Sequence, residues 1–374
     1  MANGKTALAQ PCGDTEACAG KLSKLEGLSR PPAGAVREIR SVMSQLLRWR
    51  QKLQARRQAR PRSPEKPPPP AQSDARIMPE ADATEGRDGE RFLIAGVQMP
   101  VPIGGDNVAA MVGQIEKTMA IFPGVDMIVF SELAAHGPLH SRMSADPLAD
   151  EATFRDLAAR HGVWLVPGTM FVHRNGRIYN HAVVIAPDGS VAGRYDKMFP
   201  FTPFEADVAG GSEFLIFDVP GVGRFGLSIC YDIWFPETTR TLTSAGVEVL
   251  IHPVLTGTTD REAEIAIVQA TAAMFQCYVV DVNGLDAGGI GRSLVADPSG
   301  RVVHQAGQAS EIFPVMIDLG LVRQARRSGA NGLGQVLKSW RDRSADFAAY
   351  GDIGPSEYLS SLGPLEPMPK RRIT

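Results

Sequence analysis

The sequence predicts a layered α/β sandwich that starts near residue 91, and three observations predict it. From Arg91 almost to the C-terminus, short apolar runs alternate with helical patterns and turn signals, so strands and helices take turns along the chain. Several of those runs are joined by Asn-Gly or Asp-Gly pairs, which insert antiparallel hairpins and favour stacked layers over a purely parallel barrel. Residues 1–90 follow a different rule. They are rich in Pro, Arg, Ala, Glu and Gln, centre on Pro67-Pro-Pro-Pro70, and offer too little apolar area to fold alone.

Within that extension, Val36, Ile39, Met43, Leu46 and Leu47 fall on one side of a helical pattern between Pro32 and about Arg60. Arg37, Arg40, Arg48, Arg50, Lys52, Arg56 and Arg57 crowd the rest, giving a basic amphipathic pattern suited to an acidic membrane or a partner surface, or a solvated, partly helical tail. Residues 61–90 read as a Pro-rich, charged linker. A formal charge of −2 gives no reason to expect nucleic acid as a partner. No apolar run reaches the roughly 18 residues of a membrane span, and the N-terminus has no signal-peptide core. Cys12, Cys18, Cys230 and Cys277 form no disulfide framework, which points to a reducing, cytoplasmic setting.

Taken in order, Phe92–Gln98 reads as a strand and Asp106 as the start of a helix carrying Val108, Met111, Ile115, Met119 and Phe122 on one side. Met127–Phe130 is the next strand, followed by a helix around Glu151–His161 and a strand at Val163–Val166. Hairpins are expected at Asn175-Gly176 and Asp188-Gly189, the second delivering Arg194–Lys197 and a polar-aromatic loop ending at Glu205. A strand runs into Cys230, a helix follows near Pro236–Ser244, and Val247–Ile251 is a buried strand. Asp260–Gln276 reads as a helix, Cys277–Val280 and Ile312–Ile317 as strands, and Asp297–Gly300 as a turn. From Leu321 the pattern weakens into an extended tail with exposed-looking Trp340 and Phe347. The expected organisation is therefore 1–90 extension, 91–320 catalytic domain and 321–374 tail.

The candidate chemistry sits at strand ends, where open sheets build sites. Cys230 closes an apolar run and stands just ahead of the helix start Pro236-Glu237, near backbone N–H groups that favour a thiolate and an oxyanion. Glu132 emerges past a fully apolar strand, where desolvation makes a carboxylate a usable proton acceptor. Lys197 enters the aromatic loop, and Glu205 is placed to pair with it. Each has an ordinary alternative: a small buried thiol, a strand-end glutamate, a snorkelling lysine, a loop charge. The conjunction carries the weight.

Phe130-Ser-Glu-Leu133, Tyr195-Asp-Lys-Met-Phe-Pro200 and Cys230-Tyr-Asp-Ile-Trp-Phe-Pro-Glu237 resemble, in order and spacing, the Glu-Lys-Cys motifs of the nitrilase superfamily of carbon–nitrogen hydrolases. Gly96-Val-Gln98, Ala245–Leu250 and Ser293–Gly300 extend the resemblance over about Phe92 to Asp318. It implies a four-layer αββα sandwich and a cofactor-free, metal-free enzyme, with Glu132, Lys197 and Cys230 catalytic and Glu205 as a second glutamate. It also implies hydrolysis of a small-molecule amide through a thioester, with N-carbamoyl amide or nitrile hydrolysis as alternatives, and pairing into homodimers or higher oligomers, packing to which the tail after Leu321 can contribute. Tyr231, His136, Phe201 and Trp234 are the candidate substrate-binding residues. Tyr231-Asp232 after the cysteine looks like the amidase and carbamoylase branches. Two departures stand out: Ser131 replaces a common Pro, and Thr271-Ala-Ala-Met274 replaces a common Arg-Ala-x-Glu, which puts local helix packing in question.

Rival motifs are weaker. Gly221-Val-Gly-Arg-Phe-Gly226 precedes its strand instead of following one, so it does not read as a dinucleotide site. His136 and His140 have metal-like spacing, but Gly137-Pro138 between them prevents a shared helical face. His252 is the one obvious histidine partner for Cys230 and reads better as a satisfied core or rim residue. A different class of reading remains: an interaction protein that uses its basic N-terminal pattern to recruit a vestigial hydrolase domain.

Overall fold

The computed structural model describes residues 90–362, apart from 203, 258, 259, 331, 348, 349 and 351–356. The basic amphipathic pattern and the Pro-rich stretch up to residue 89 lie outside the described residues.

The first sheet holds β1 (Arg91–Gln98), β2 (Met127–Phe130), β3 (Trp164–Val166), β4 (Thr169–Arg174), β5 (Arg177–Ile185), β6 (Val191–Asp196) and β15 (Glu311–Asp318). Their order is β15-β1-β2-β3-β5-β4, with β6 also on β5. The second sheet holds β7 (Leu215–Val219), β8 (Gly223–Leu227), β9 (Val249–Val254), β10 (Tyr278–Asn283), β13 (Leu294–Ala296) and β14 (Val302–Gln305), in the order β14-β13-β10-β9-β8-β7. A small ribbon, β11 (Leu285–Asp286) with β12 (Gly289–Ile290), stands apart. Parallel pairs β1–β2, β2–β3, β8–β9 and β9–β10 form the centres of the two sheets, and antiparallel pairs flank them.

Alternation along the strands decides the layers. Phe92 and Ile94 of β1 and Met127 and Val129 of β2 pack with Phe225, Leu227, Ile251 and Val280 of the second sheet, so one core lies between the sheets. The intervening residues Ala95, Val97, Ile128 and Phe130 turn the other way. They meet Met111 and Ile115 of α1 (Val108–Ile121) and Phe154 and Leu157 of α2 (Pro147–His161). On the far side, Leu250 and Val279 pack with Leu242 of α3 (Pro236–Ser244) and Val268 and Phe275 of α4 (Asp260–Phe275). Helices, sheet, sheet, helices: the αββα expectation holds.

The hairpin signals act as turns. Asn175 and Gly176 join β4 to β5 with φ of 52° and 75°, the left-handed pair that matches strand twist. The glycine pattern at 221–226 spans the β7–β8 hairpin, with Gly221 at φ 76°.

Three local expectations need revision. The strand before the cysteine stops at Leu227, and Cys230 opens a 3-10 turn over Cys230–Trp234. The Asp232 carboxylate accepts the Ile229 N–H at 2.9 Å and turns the backbone out of the sheet. The segment after Leu319 is helical, not extended: α5 (Leu319–Ser328) buries Leu319, Val322 and Ala325 at three-residue spacing and is capped by Asp318. It was hidden because its remaining positions are strongly polar and the run is short. Thr271, Ala272 and Phe275 pack normally in α4, and a buried ion pair with the same three-residue spacing occurs earlier in that helix, at Arg261 and Glu264.

Candidate active site

Glu132 leaves β2, all four of whose residues are buried, and Leu133 at φ 54° turns the chain sharply behind it. One carboxylate oxygen, Oε2, accepts the Leu255 N–H at 3.0 Å from the loop after β9. The other, Oε1, accepts from Lys197 Nζ at 2.8 Å and from Asn180 Nδ2 at 2.8 Å. Lys197 follows β6, its own N–H held by the Asn180 carbonyl at 2.9 Å. Its ammonium donates a second bond, at 2.7 Å, to Glu205 Oε2, which also accepts the Phe201 N–H at 2.6 Å. Asn180 Nδ2 reaches Glu205 Oε1 at 2.8 Å as well. One ammonium and one amide thus bridge two carboxylates. Glu132 is 3 % exposed, Lys197 1 % and Glu205 6 %, so these charges persist only because each is paired and hydrogen-bonded.

Burial disfavours the Lys197 ammonium, but the charges of Glu132 and Glu205 outweigh it and hold the group well above its ordinary range. Lys197 is a fixed cation. Cys230 is partly buried and sits at φ 45°, a left-handed conformation that costs a non-glycine residue of the order of 1–3 kcal/mol. Burial pushes its thiol well up, Glu132 adds to that, and Lys197 opposes it. The sulfur is therefore a thiol at neutral pH that needs a base to react. The Sγ atom lies 3.5 Å from Thr256 Oγ1.

Asp232 ties the cysteine turn to the lysine strand. It accepts from Ile229 N, Phe199 N at 2.9 Å and Tyr195 Oη at 2.8 Å, and burial raises its carboxyl to about 6. Above the turn is an aromatic group. Phe201 and Tyr231 meet edge-to-face at 5.0 Å, Tyr231 and Trp234 are 6.0 Å apart, and Phe199 stacks on Phe235 at 3.6 Å. Trp234 is 38 % exposed, so this group has an open side. His136 is placed differently: its Nε2 lies 2.8 Å from Asp150 Oδ2 on α2.

Asn180, Asp232 and Thr256 escaped the sequence reading. Asn180 carried one usable signal, an amide inside the otherwise strand-forming run Arg177–Ile185. Asp232 was visible only as part of a motif, and Thr256 had no signal at all.

One further cluster offers metal-type ligands: His252, Glu264 and Asp281 bring ligand atoms within 4.8 Å of one another. Arg261 engages two of the three, donating to Glu264 at 2.6 Å and through both terminal nitrogens to Asp281. A guanidinium already pairs with both carboxylates, so the residues do not fit a cation.

The family profile for carbon-nitrogen hydrolases matches residues 93–327. The chain belongs to the carbon-nitrogen hydrolase family. The nitrilase-superfamily resemblance drawn from the three motifs is thereby borne out. Among curated relatives of this carbon-nitrogen hydrolase, an (R)-stereoselective amidase from Pseudomonas sp is 34% identical over 214 residues, covering 54% of this chain and 76% of the relative. A 2-oxoglutaramate amidase from Bacillus subtilis is 31% identical over 215 residues, covering 54% and 82%. In fold, the chain is similar to a carbon-nitrogen hydrolase from Helicobacter pylori, with a TM-score of 0.61 at 24% identity over 70% of this chain and 98% of that one. Among the described residues, no helix is long and apolar enough to cross a membrane.

Proposed function

We propose that this carbon-nitrogen hydrolase cleaves the C–N bond of a small amide through a thioester on Cys230. The observation that carries the reading is the buried Glu132–Lys197 contact at 2.8 Å, next to a thiol that feels both charges. Glu132 takes the thiol proton as the sulfur attacks the carbonyl carbon, and returns it to the departing nitrogen, which leaves as ammonia or an amine. Lys197 and the backbone N–H of Tyr231 hold the oxyanion. Water, deprotonated by Glu132, then opens the thioester, releases the acid and restores the thiol. Glu205 and Asn180 hold Lys197 and Glu132 in register. Phe201, Tyr231 and Trp234 line the acyl side, and His136 braces the loop behind Glu132 through Asp150.

Amidases among the relatives support an amide over a ureide, and Tyr231-Asp232 after the cysteine supports either over a nitrile. The test is incubation with amide, ureide and nitrile panels, following ammonia and intact mass. We expect an acyl adduct on wild type from an amide and none on Cys230→Ala. Equal turnover by Cys230→Ala would remove the thioester from the mechanism. The enzyme is expected to act as a homodimer or higher oligomer in the cytoplasm, checked by light scattering and fractionation.

A further inference from the structure

Four rings form a row beside the cysteine turn. Phe204 lies 5.9 Å from Phe201 with its plane tilted by 19°, Phe201 meets Tyr231 edge-to-face at 5.0 Å, and Tyr231 lies 6.0 Å from Trp234. Tyr231 also meets Phe235 edge-to-face at 5.2 Å, and Phe235 stacks on Phe199, so a second pair of rings backs the middle of the row. The row is fixed at its roots. Tyr231 follows Cys230 directly in the chain. The turn that carries Phe201 and Phe204 is closed twice, by Phe201 N–H on Glu205 Oε2 at 2.6 Å and by Glu205 N–H on the Phe201 carbonyl at 2.9 Å. Asp232 joins the two loops by accepting from Ile229 N and Phe199 N. The inner rings, Phe201 and Tyr231, are half-buried, whereas Phe204 at one end is 66 % exposed and Trp234 at the other is open as well.

Exposed apolar side chains scattered singly need no explanation, but contiguous ones beside a candidate nucleophile mark a binding surface. Aromatic surface that is already held in place binds another ring with little further ordering. Lys197 is committed to Glu132 and Glu205, so the row offers a substrate ring edges and ring faces and not a charge.

We propose that the row Phe204, Phe201, Tyr231 and Trp234 is the subsite for an aromatic acyl group, with Phe204 and Trp234 as specificity-determining residues. The substrate class is then arylalkyl amides, of which phenylacetamide is the simplest probe, and not short aliphatic amides. This rests on the reading of Cys230 as nucleophile. The acyl carbon is the atom that bonds to the sulfur and stays when the nitrogen leaves, so the group it carries lies next to the residue that follows the cysteine. A substrate ring extends the row at the spacings the row already uses. Ring pairs at such spacings gain more than their area burial alone, so the row distinguishes a phenyl group from a saturated ring of similar size.

The test pairs binding with turnover. Binding of phenylacetamide, cyclohexylacetamide and acetamide to Cys230→Ala is measured by titration calorimetry, and kcat/KM of wild type for the same amides by ammonia release. Phenylacetamide should bind at least about tenfold tighter than acetamide and at least about twofold tighter than cyclohexylacetamide, with kcat/KM in the same order. In Phe204→Ala and Trp234→Ala, each checked for a native melt, the phenylacetamide-to-acetamide ratio of kcat/KM should fall at least about threefold. Trp234→Phe should hold that ratio within about twofold of wild type. Equal binding of phenylacetamide and acetamide, tighter binding of cyclohexylacetamide, or folded alanine variants with the wild-type ratio would overturn the aromatic subsite. An unchanged ratio in Phe204→Ala together with a smaller particle in light scattering would give that ring to a contact between copies instead. Selective binding of phenylacetamide by a protein that turns over no amide would keep the subsite and remove the proposed function.

Discussion

Asn180 holds together two carboxylates that would otherwise repel, donating from a single Nδ2 at 2.8 Å to each. Removing that donor leaves Glu132 and Glu205 sharing only Lys197. Asn180→Ala is therefore expected to cost about 1–3 kcal/mol in urea unfolding and to lower kcat while leaving KM nearly unchanged. Loss of KM alone would mean that the amide contacts substrate and not the carboxylates. Lys197 is the stronger case. Lys197→Met should cut kcat on the order of 10²–10³, the usual loss for one oxyanion donor, with the protein destabilised because Glu132 and Glu205 stay buried without their cation. A Lys197→Met enzyme within tenfold of wild type would exclude the ammonium from the transition state.

At the scale of elements, strain and packing meet at the turn after β8. Cys230 sits at φ 45°, where glycine carries no steric cost. Cys230→Gly and Cys230→Ala should both be inactive, yet the glycine variant should be at least as stable as the alanine one, by up to about 1 kcal/mol in thermal melts. A clearly less stable glycine variant would show that the turn is unstrained. The helix α5 supplies a second test. Leu319 joins the core between the sheets and is fully buried, so Leu319→Ala should lose about 2–5 kcal/mol in urea unfolding. A loss below 1 kcal/mol would detach α5 from the core.

For the molecule as a whole, buried titratable groups set how stability follows pH. His252 is fully buried, and its folded value of about 4 lies below the ordinary 6.5. A depressed base contributes stability that is present above 6.5 and lost as pH falls towards 4, because the unfolded chain takes up a proton that the folded one refuses. The loss over that window is about 3 kcal/mol. Asp232 works the other way: raised from 3.8 to about 6, it favours the folded state on acidification and costs stability as pH rises through that range. Comparing urea unfolding of wild type and His252→Gln at pH 7.5 and 4.5 isolates the histidine. The variant should lose less stability on acidification, and equal losses would show that His252 does not resist protonation.

The sequence by itself determined the layered fold and the hairpins, and it singled out Glu132, Lys197, Cys230 and Glu205 as candidate site residues. Period-two alternation, Asn-Gly turns and three spaced motifs are local signals that a linear reading can hold. Only the tertiary structure decided that Asn180 bridges the carboxylates, that Thr256 faces the Cys230 sulfur, and that Arg261 pairs with both Glu264 and Asp281. Most of those contacts join residues far apart in the chain, and a hydrogen bond or ion pair is decided by angstroms across a packed interior, which composition and spacing do not encode.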